Sequence, residues 1–173
     1  MAESLRSADI VHAGTDALKV PPHSLQAEQA VLGGLMLDNS TWDTVADRVT
    51  EEDFYRRDHR LIFRAIAELA EKNHPLDAVT LSEWLEHNNL LNEVGGLSAL
   101  GMLAQNTPSA ANIKAYADIV RDKSVVRQLI SVGNQVAGSA YEAEGRNTSE
   151  LLNEAEKLVF DIAEQGNRGK RGF

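Results

Sequence analysis

The chain has 173 residues, 43% of them apolar, and carries 17 basic and 26 acidic side chains for a formal net charge of −9. This composition predicts one folded domain, or a domain with an appendage, and argues against wholesale disorder. The absence of cysteine excludes disulfides and thiolate chemistry, and the net acidity argues against a nucleic-acid clamp, which requires clustered Lys and Arg.

The amino-terminal segment shows no recognisable targeting signal. It lacks the basic and apolar parts of a secretory signal, and no apolar run in the chain approaches the roughly 20 residues that cross a bilayer. We therefore expect a cytoplasmic protein without membrane contact. Residues 1–20 are mixed polar and small, without an apolar period, and are predicted to form a disordered tail.

Residues 25–37 are predicted to form the first helix, because a Pro-Pro pair precedes the segment and Ser24 is a suitable N-cap. Gly33 and Gly34 lie inside this helix, where each glycine costs ~1 kcal/mol relative to alanine. Such a cost is usually offset by the close approach of another helix. We therefore interpret the pair as packing residues rather than a ligand cradle.

Four further helical segments are predicted before a break at Pro108: residues 40–49, 58–72, 80–87 and 97–105. The second of them places apolar residues on one face at 3-4 spacing: Ile62, Ala65, Ile66 and Leu69. Ser40 with Asp43 resembles a capping box, and Thr80 with Glu83 forms one. Alternating patterns typical of strands are absent from the sequence. The predicted fold is therefore all-α, with a compact multi-helix globular subdomain over residues 21–108.

The remainder of the chain is predicted to be a long antiparallel helical hairpin over residues 109–165. One helix runs from about Ala110 to Ala143, and Thr148 caps the second. Their apolar stripes contain the residues predicted to carry hairpin packing and self-association, namely Tyr116, Ile119, Val126 and Ile130, then Leu151, Leu158 and Ile162. Burying an exposed Leu or Ile stabilises by ~1.5–3 kcal/mol, which favours a partner surface. Packing of the hairpin onto the globule is the alternative.

The net charge of the chain also changes at the boundary after residue 108. Residues 1–108 hold 17 acids and 8 bases, whereas residues 109–173 hold nine of each. Residues 166–173 read GNRGKRGF, a glycine-rich basic stretch predicted to begin a linker.

No catalytic or metal-binding constellation is present in the sequence. The five histidines show no metal-ligand spacing, and neither a Walker A loop nor a nucleophile elbow occurs. The densest basic spot of the acidic part, residues 56–60, is interpreted as a solvated helix start, with anion binding as the alternative. We expect no enzymatic activity, catalytic residue, cofactor or metal in this chain. A nucleic-acid-binding helical domain and an unrelated adaptor remain alternative functions.

Three groups of motifs resemble the amino-terminal domain of the bacterial replicative DNA helicases of the DnaB type, in a form closest to proteobacterial members. They are VPPHS at residues 20–24 with EQAVLGGL at 28–35; DFY at 53–55 with HR at 59–60 and IF at 62–63; and NTPSAANI at 106–113 with YADIVR at 116–121. One departure is Ala99, at a position where relatives often carry a tyrosine.

The resemblance implies a division of labour. Family amino-terminal domains pair through their hairpins and form the collar of a hexameric ring, as a trimer of dimers that receives the carboxy-terminal domain of a DnaG-type primase. A helicase loader is a further implied partner, and strong direct DNA binding is not expected. ATP and magnesium are implied only for a RecA-like motor domain, which this sequence lacks. Tyr116 matches an aromatic position associated with partner binding, while a core role in the hairpin is the alternative.

Overall fold

The computed structural model describes residues 19–166, and all regular structure in that range is helical. The α-helices are α1 (Leu25–Leu37), α2 (Trp42–Ala46), α3 (Arg57–Glu71), α4 (Ala78–His87), α5 (Gly96–Asn106), α6 (Ile113–Tyr141) and α7 (Thr148–Gly166). Short 3-10 turns lie at Asn39–Thr41, Glu51–Asp53 and Asn92–Val94. The predicted all-α fold is confirmed. Most of the predicted tail and linker falls in residues 1–18 and 167–173, outside the described range.

The globule is built around α1, which contacts α3, α5 and α6. Val31, Leu32 and Leu35 of α1 are completely buried, and the 3-4 stripe predicted for α3 faces them from the same core: Ile62, Ala65, Ile66 and Leu69. Burial of these side chains supplies the main driving force for folding. The helical period read from the sequence therefore identified the core face of α3 correctly.

The two glycines of α1 are packing residues, as predicted. A Cβ atom on Gly33 would lie 2.0 Å from Thr107 Oγ1 and 2.5 Å from the Leu103 carbonyl oxygen. A Cβ atom on Gly34 would lie 2.9 Å from Ile113 Cδ1. The missing side chains thus let the end of α5 and the start of α6 approach the α1 backbone.

Helix capping differs from the sequence prediction at three starts. Ser24 caps α1 as predicted, accepting a hydrogen bond from the Ala27 N–H at 3.2 Å. At three later starts an Asp or Asn residue earlier in the chain than the predicted Ser or Thr is the cap: Asp38 instead of Ser40, at the 3-10 turn before α2, Asp77 instead of Thr80, and Asn147 instead of Thr148. Their side-chain oxygens reach the free N–H groups first, so the helical turns begin earlier than expected.

The cap of α4 gives a testable pH dependence. Hydrogen bonds from the Thr80 hydroxyl and the Thr80 backbone N–H hold the pKa of Asp77 below its ordinary value of 3.8. We expect Asp77→Ala to lower the free energy of unfolding by ~1 kcal/mol near neutral pH. Because the folded-state pKa is the lower one, this contribution is present above the unfolded-state pKa and is lost as pH falls through the folded-state value. Urea unfolding near neutral pH and below the folded-state pKa of Asp77 measures this contribution. A difference in unfolding free energy between variant and wild type that persists at the acidic pH would contradict the assignment.

α6 and α7 form the hairpin. Antiparallel pairing brings Ser139 of α6 to Glu154 of α7 near the tip, and Val125 to Gly166 near the base. Residues 142–147 close the hairpin, with left-handed backbone at Glu144 (φ 50°) and Gly145 (φ 83°). A 29-residue α6 therefore projects well beyond the globule that anchors its first turns.

Candidate assembly face and docking groove

α6 has three differently covered faces. Ile113, Ala117 and Val120 are buried against the globule, and a second face, with Val125 and Val136, packs on α7. The third face carries the predicted stripe of Ile119, Val126 and Ile130, which are 39%, 41% and 48% exposed. The stripe was predicted to pack the hairpin as well as to mediate self-association. In the structure, Val125 and Val136 of the second face lie at the contact with α7, and the role of the stripe in self-association stays a prediction.

The predicted α7 residues have the opposite placement. Ile162 is buried, and Leu151 and Leu158 are half-buried in the contact with α6. They therefore hold the two helices together and offer little surface to a partner. The exposed apolar residues of α7 are instead Leu152, Val159 and Phe160.

Leu152 extends the exposed stripe of α6 onto α7. Leu152 and Ala140 of α6 line the same apolar depression between the two helices, and Val159 lies one heptad after Leu152 on α7. We define the hairpin face as the exposed apolar residues of this side: Ile119, Val126, Leu129, Ile130, Leu152 and Val159. Within residues 19–166, none of these side chains is fully covered.

A second concave surface lies on the globule, between α1, α3, α5 and the start of α6. We call this surface, a cavity of about 470 Å³, the α5 groove. Its lining includes Ala30 of α1, Ile62 of α3, Ala99 and Met102 of α5, and Tyr116 of α6. Tyr116 is half-buried and packs against the globular core. It thus belongs to the α5 groove and the core, and it lies apart from the hairpin contact in which the sequence placed it.

Most of the side chains that line the α5 groove are neutral, and its ionisable members are Arg56, Asp58 and His59. α5 has no ionisable side chain, yet Leu97 and Met102 on its surface are 49% and 57% exposed. At the edge, Arg56 donates two hydrogen bonds to Asp58, at 3.0 and 2.8 Å. An apolar partner surface fits such a lining better than an ionic one does.

Acids offset the basic spot at residues 56–60. Arg56 pairs with Asp58, and Arg57 lies 3.3 Å from Glu93. Beneath them, Glu28 is 1% exposed and accepts hydrogen bonds from the Tyr55 N–H and the His59 ring, both at 2.8 Å. These contacts leave anion binding at this spot without structural support.

Sequence reasoning missed Glu28 because its partners are 27 and 31 residues away. The one feature of the sequence that could have indicated its burial is that Glu28 is an acidic residue on an otherwise apolar face of α1.

Other classes of site find no support in residues 19–166. No group of three or more His, Asp or Glu side chains there is arranged to hold a metal ion. No helix in that part of the chain is long and apolar enough to cross a membrane. Neither α4 nor α5 carries a Lys or Arg with which to read DNA.

An uncovered apolar face on a projecting hairpin, together with a mostly neutral groove on the globule, is typical of a helical assembly domain. The similarity of this chain to known protein families agrees with that class. The family model of the DnaB-like helicase N terminal domain matches residues 20–122. The chain therefore belongs to the DnaB-like helicase amino-terminal domain family, as its motifs indicated.

Individual relatives support the same assignment. The chain is 48% identical over 158 residues to the replicative DNA helicase DnaB of Haemophilus influenzae, which covers 91% of this chain and 34% of the relative. The crystal structure of the N-terminal domain of DnaB helicase from Mycobacterium tuberculosis matches with a TM-score of 0.78 and 37% identity, over 82% of this chain and 99% of that one. The N-terminal domain of DnaB helicase from Helicobacter pylori shares the fold, with a TM-score of 0.59 at 24% identity, over 66% and 89% of the two chains. The chain spans about a third of the length of the curated relatives it matches.

Proposed function

We propose that this chain is the assembly and primase-docking domain of a cytoplasmic replicative DNA helicase. It joins copies of itself into dimers and into the hexameric collar, and it receives a DnaG-type primase, with a helicase loader as a further partner. DNA unwinding, ATP hydrolysis and the binding of ATP and magnesium belong to the part of the relatives that this chain does not span.

The hairpin face carries the self-association proposal. Its six large apolar side chains are 39–65% exposed, and full burial of such a side chain contributes ~1.5–3 kcal/mol relative to full exposure. A two-fold interface uses one patch twice, so the gain doubles when two copies pair. A total of this size is comparable with the ~4–15 kcal/mol lost in translational and rotational freedom on association.

Sedimentation equilibrium tests the self-association directly. We expect the mean mass to rise above the 18.9 kDa of one chain as protein concentration increases. A constant mass of one chain over a wide concentration range would refute this part of the function.

For primase docking we propose the α5 groove. The support is its concave, mostly neutral lining and the exposed Met102, with Tyr116 as a further contact. The structures of the Helicobacter pylori domain and of a DnaB-like replicative helicase are both described together with their interactions with primase. An isolated domain is expected to bind weakly, because a ring presents several correctly spaced sites at once.

Met102→Glu tests the α5 groove. The added carboxylate would have to be desolvated against an apolar partner, so we expect affinity for the primase carboxy-terminal domain to fall by about tenfold or more, which corresponds to ~1.4 kcal/mol. Titration calorimetry measures the change. Val79→Glu is the matched control, because Val79 is 63% exposed on α4, away from the groove. Equal affinities of the two variants would place primase elsewhere.

A further inference from the structure

The joint between hairpin and globule changes character along α6. Ile113, Ala117 and Val120 enter the apolar core. The next buried residues of α6 are the polar Arg121 and Ser124, and no residue of α6 beyond Ser124 is fully buried. The hairpin is thus fixed by an apolar pivot and then by a polar contact just above it.

Asp53 is the acceptor at the centre of the polar contact. Its carboxylate, 2% exposed, lies 3.3 Å from Arg121 Nη1 and accepts a hydrogen bond from Ser124 Oγ at 2.8 Å. The same carboxylate accepts the Thr50 N–H at 2.8 Å, which fixes the 3-10 turn on which Asp53 lies. One side chain therefore joins the loop before α3 to two successive turns of α6.

Arg127, a further turn along α6, makes the second set of contacts. Its guanidinium donates to the carbonyl oxygens of Pro22 at 2.8 Å and Asp53 at 2.7 Å. It also lies 5.5 Å from the centre of the Tyr55 ring, which stacks on His23. Burial lowers the pKa of Arg127, and nearby carboxylates oppose that shift. Two segments distant in sequence, residues 22–23 and 53–55, thus converge on this one hairpin side chain.

The polar contact is incompletely satisfied. Arg121 is 6% exposed, and its Nε and Nη2 are buried without a hydrogen-bond partner. A buried unpaired donor costs about 1–3 kcal/mol, a cost that hydration removes. Opening this contact exposes mainly groups that water can satisfy, whereas opening the pivot exposes apolar surface. The polar contact is therefore the part of the joint that yields first.

We propose that Asp53, Arg121, Ser124 and Arg127 form a polar latch that sets the angle of the hairpin to the globule, and that the hairpin swings as a rigid unit when the latch opens. If the proposed function holds, the latch also fixes the orientation of the hairpin face relative to the α5 groove. Copies in one ring can then differ in hairpin angle without either part unfolding.

Distance measurement between two spin labels tests the latch. The chain has no cysteine, so Val79→Cys on α4 and Tyr141→Cys at the hairpin tip, which are 63% and 89% exposed, place labels only there. An excess of unlabelled protein removes distances between copies. We call the doubly labelled protein with an intact latch the background, and we compare it with the same labelled protein that also carries Asp53→Asn or Arg127→Gln. Glu93→Gln is the control, since it removes an exposed ion pair with Arg57 outside the joint.

We expect one main distance in the background and in the control. Each latch variant is expected to add a second population at a shifted distance while keeping its helical circular dichroism. Folded latch variants with the background distribution would overturn the proposal. Loss of the folded globule in both variants would also overturn it, because these residues would then hold the globule rather than the joint. If only Asp53→Asn fails to fold, the distance distribution of Arg127→Gln decides whether the latch sets the hairpin angle. Self-association and primase binding are measured separately, so their failure leaves this test intact.

Discussion

Replacing Ile130 by aspartate is expected to shift the chain from the proposed self-associated form to monomer without unfolding it. Ile130 is 48% exposed in the single chain and lies near the middle of the hairpin face. The single chain can hydrate a carboxylate there, whereas an apolar interface would have to bury it unpaired, at a cost of several kcal/mol. Because a two-fold interface contains the substitution twice, the effect is doubled. Light scattering over a range of concentrations measures the change in mass.

Two matched substitutions separate association from folding. Val79→Asp places the same charge on an apolar residue that is 63% exposed and lies outside the hairpin face, and it should leave the mass unchanged. Leu158→Asp places it in the contact between α6 and α7, so it should reduce helical circular dichroism and thermal stability. If Ile130→Asp has the mass of the wild type at every concentration, the hairpin face is not the interface.

Gly33→Ala is expected to be the most destabilising single-methyl substitution in the globule. The new Cβ would lie 2.0 Å from Thr107 Oγ1 and 2.5 Å from a backbone carbonyl oxygen of α5. A threonine side chain can rotate, but the carbonyl moves only if α5 shifts as a whole. Overpacking of a close helix contact costs about 1–3 kcal/mol and occasionally more, and we expect the upper part of that range. Urea unfolding gives the value.

Gly101→Ala is the matched control, because it adds the same methyl group inside α5. Apart from its chain neighbours and the adjacent backbone of α5, no atom lies within 4 Å of that Cβ position, and alanine in a helix interior is favoured over glycine by about 0.5–1 kcal/mol. The two substitutions should therefore have opposite signs. Equal stabilities of the two variants would show that close approach at α1 is not the reason for its glycine.

The charge of the hairpin is less even than its total suggests. Residues 109–173 are neutral overall, yet residues 133–166 hold seven acids and only two bases. Much of the positive charge lies near the base, and Arg121 and Arg127 there are engaged in the latch. A neutral total therefore does not describe the surface that a partner would meet.

The sequence determined what depends on neighbours along the chain. Helical period located the core face of α3, and Pro108 marked the end of the globular helices, because both effects act within a few residues. The cost of two helical glycines predicted close packing at Gly33 and Gly34. Motifs at several separated places indicated the family.

Tertiary structure alone decided which faces are covered and which polar groups meet. A stripe of apolar residues shows that a helix face is apolar, but it does not show what covers that face. Spacing alone therefore could not tell that Val136 packs on α7 whereas Ile130 stays exposed. Asp53 and Arg121 are 68 residues apart, and no local period connects them. Their contact exists only because α6 packs beside the turn before α3, and that is where the position of the hairpin is set.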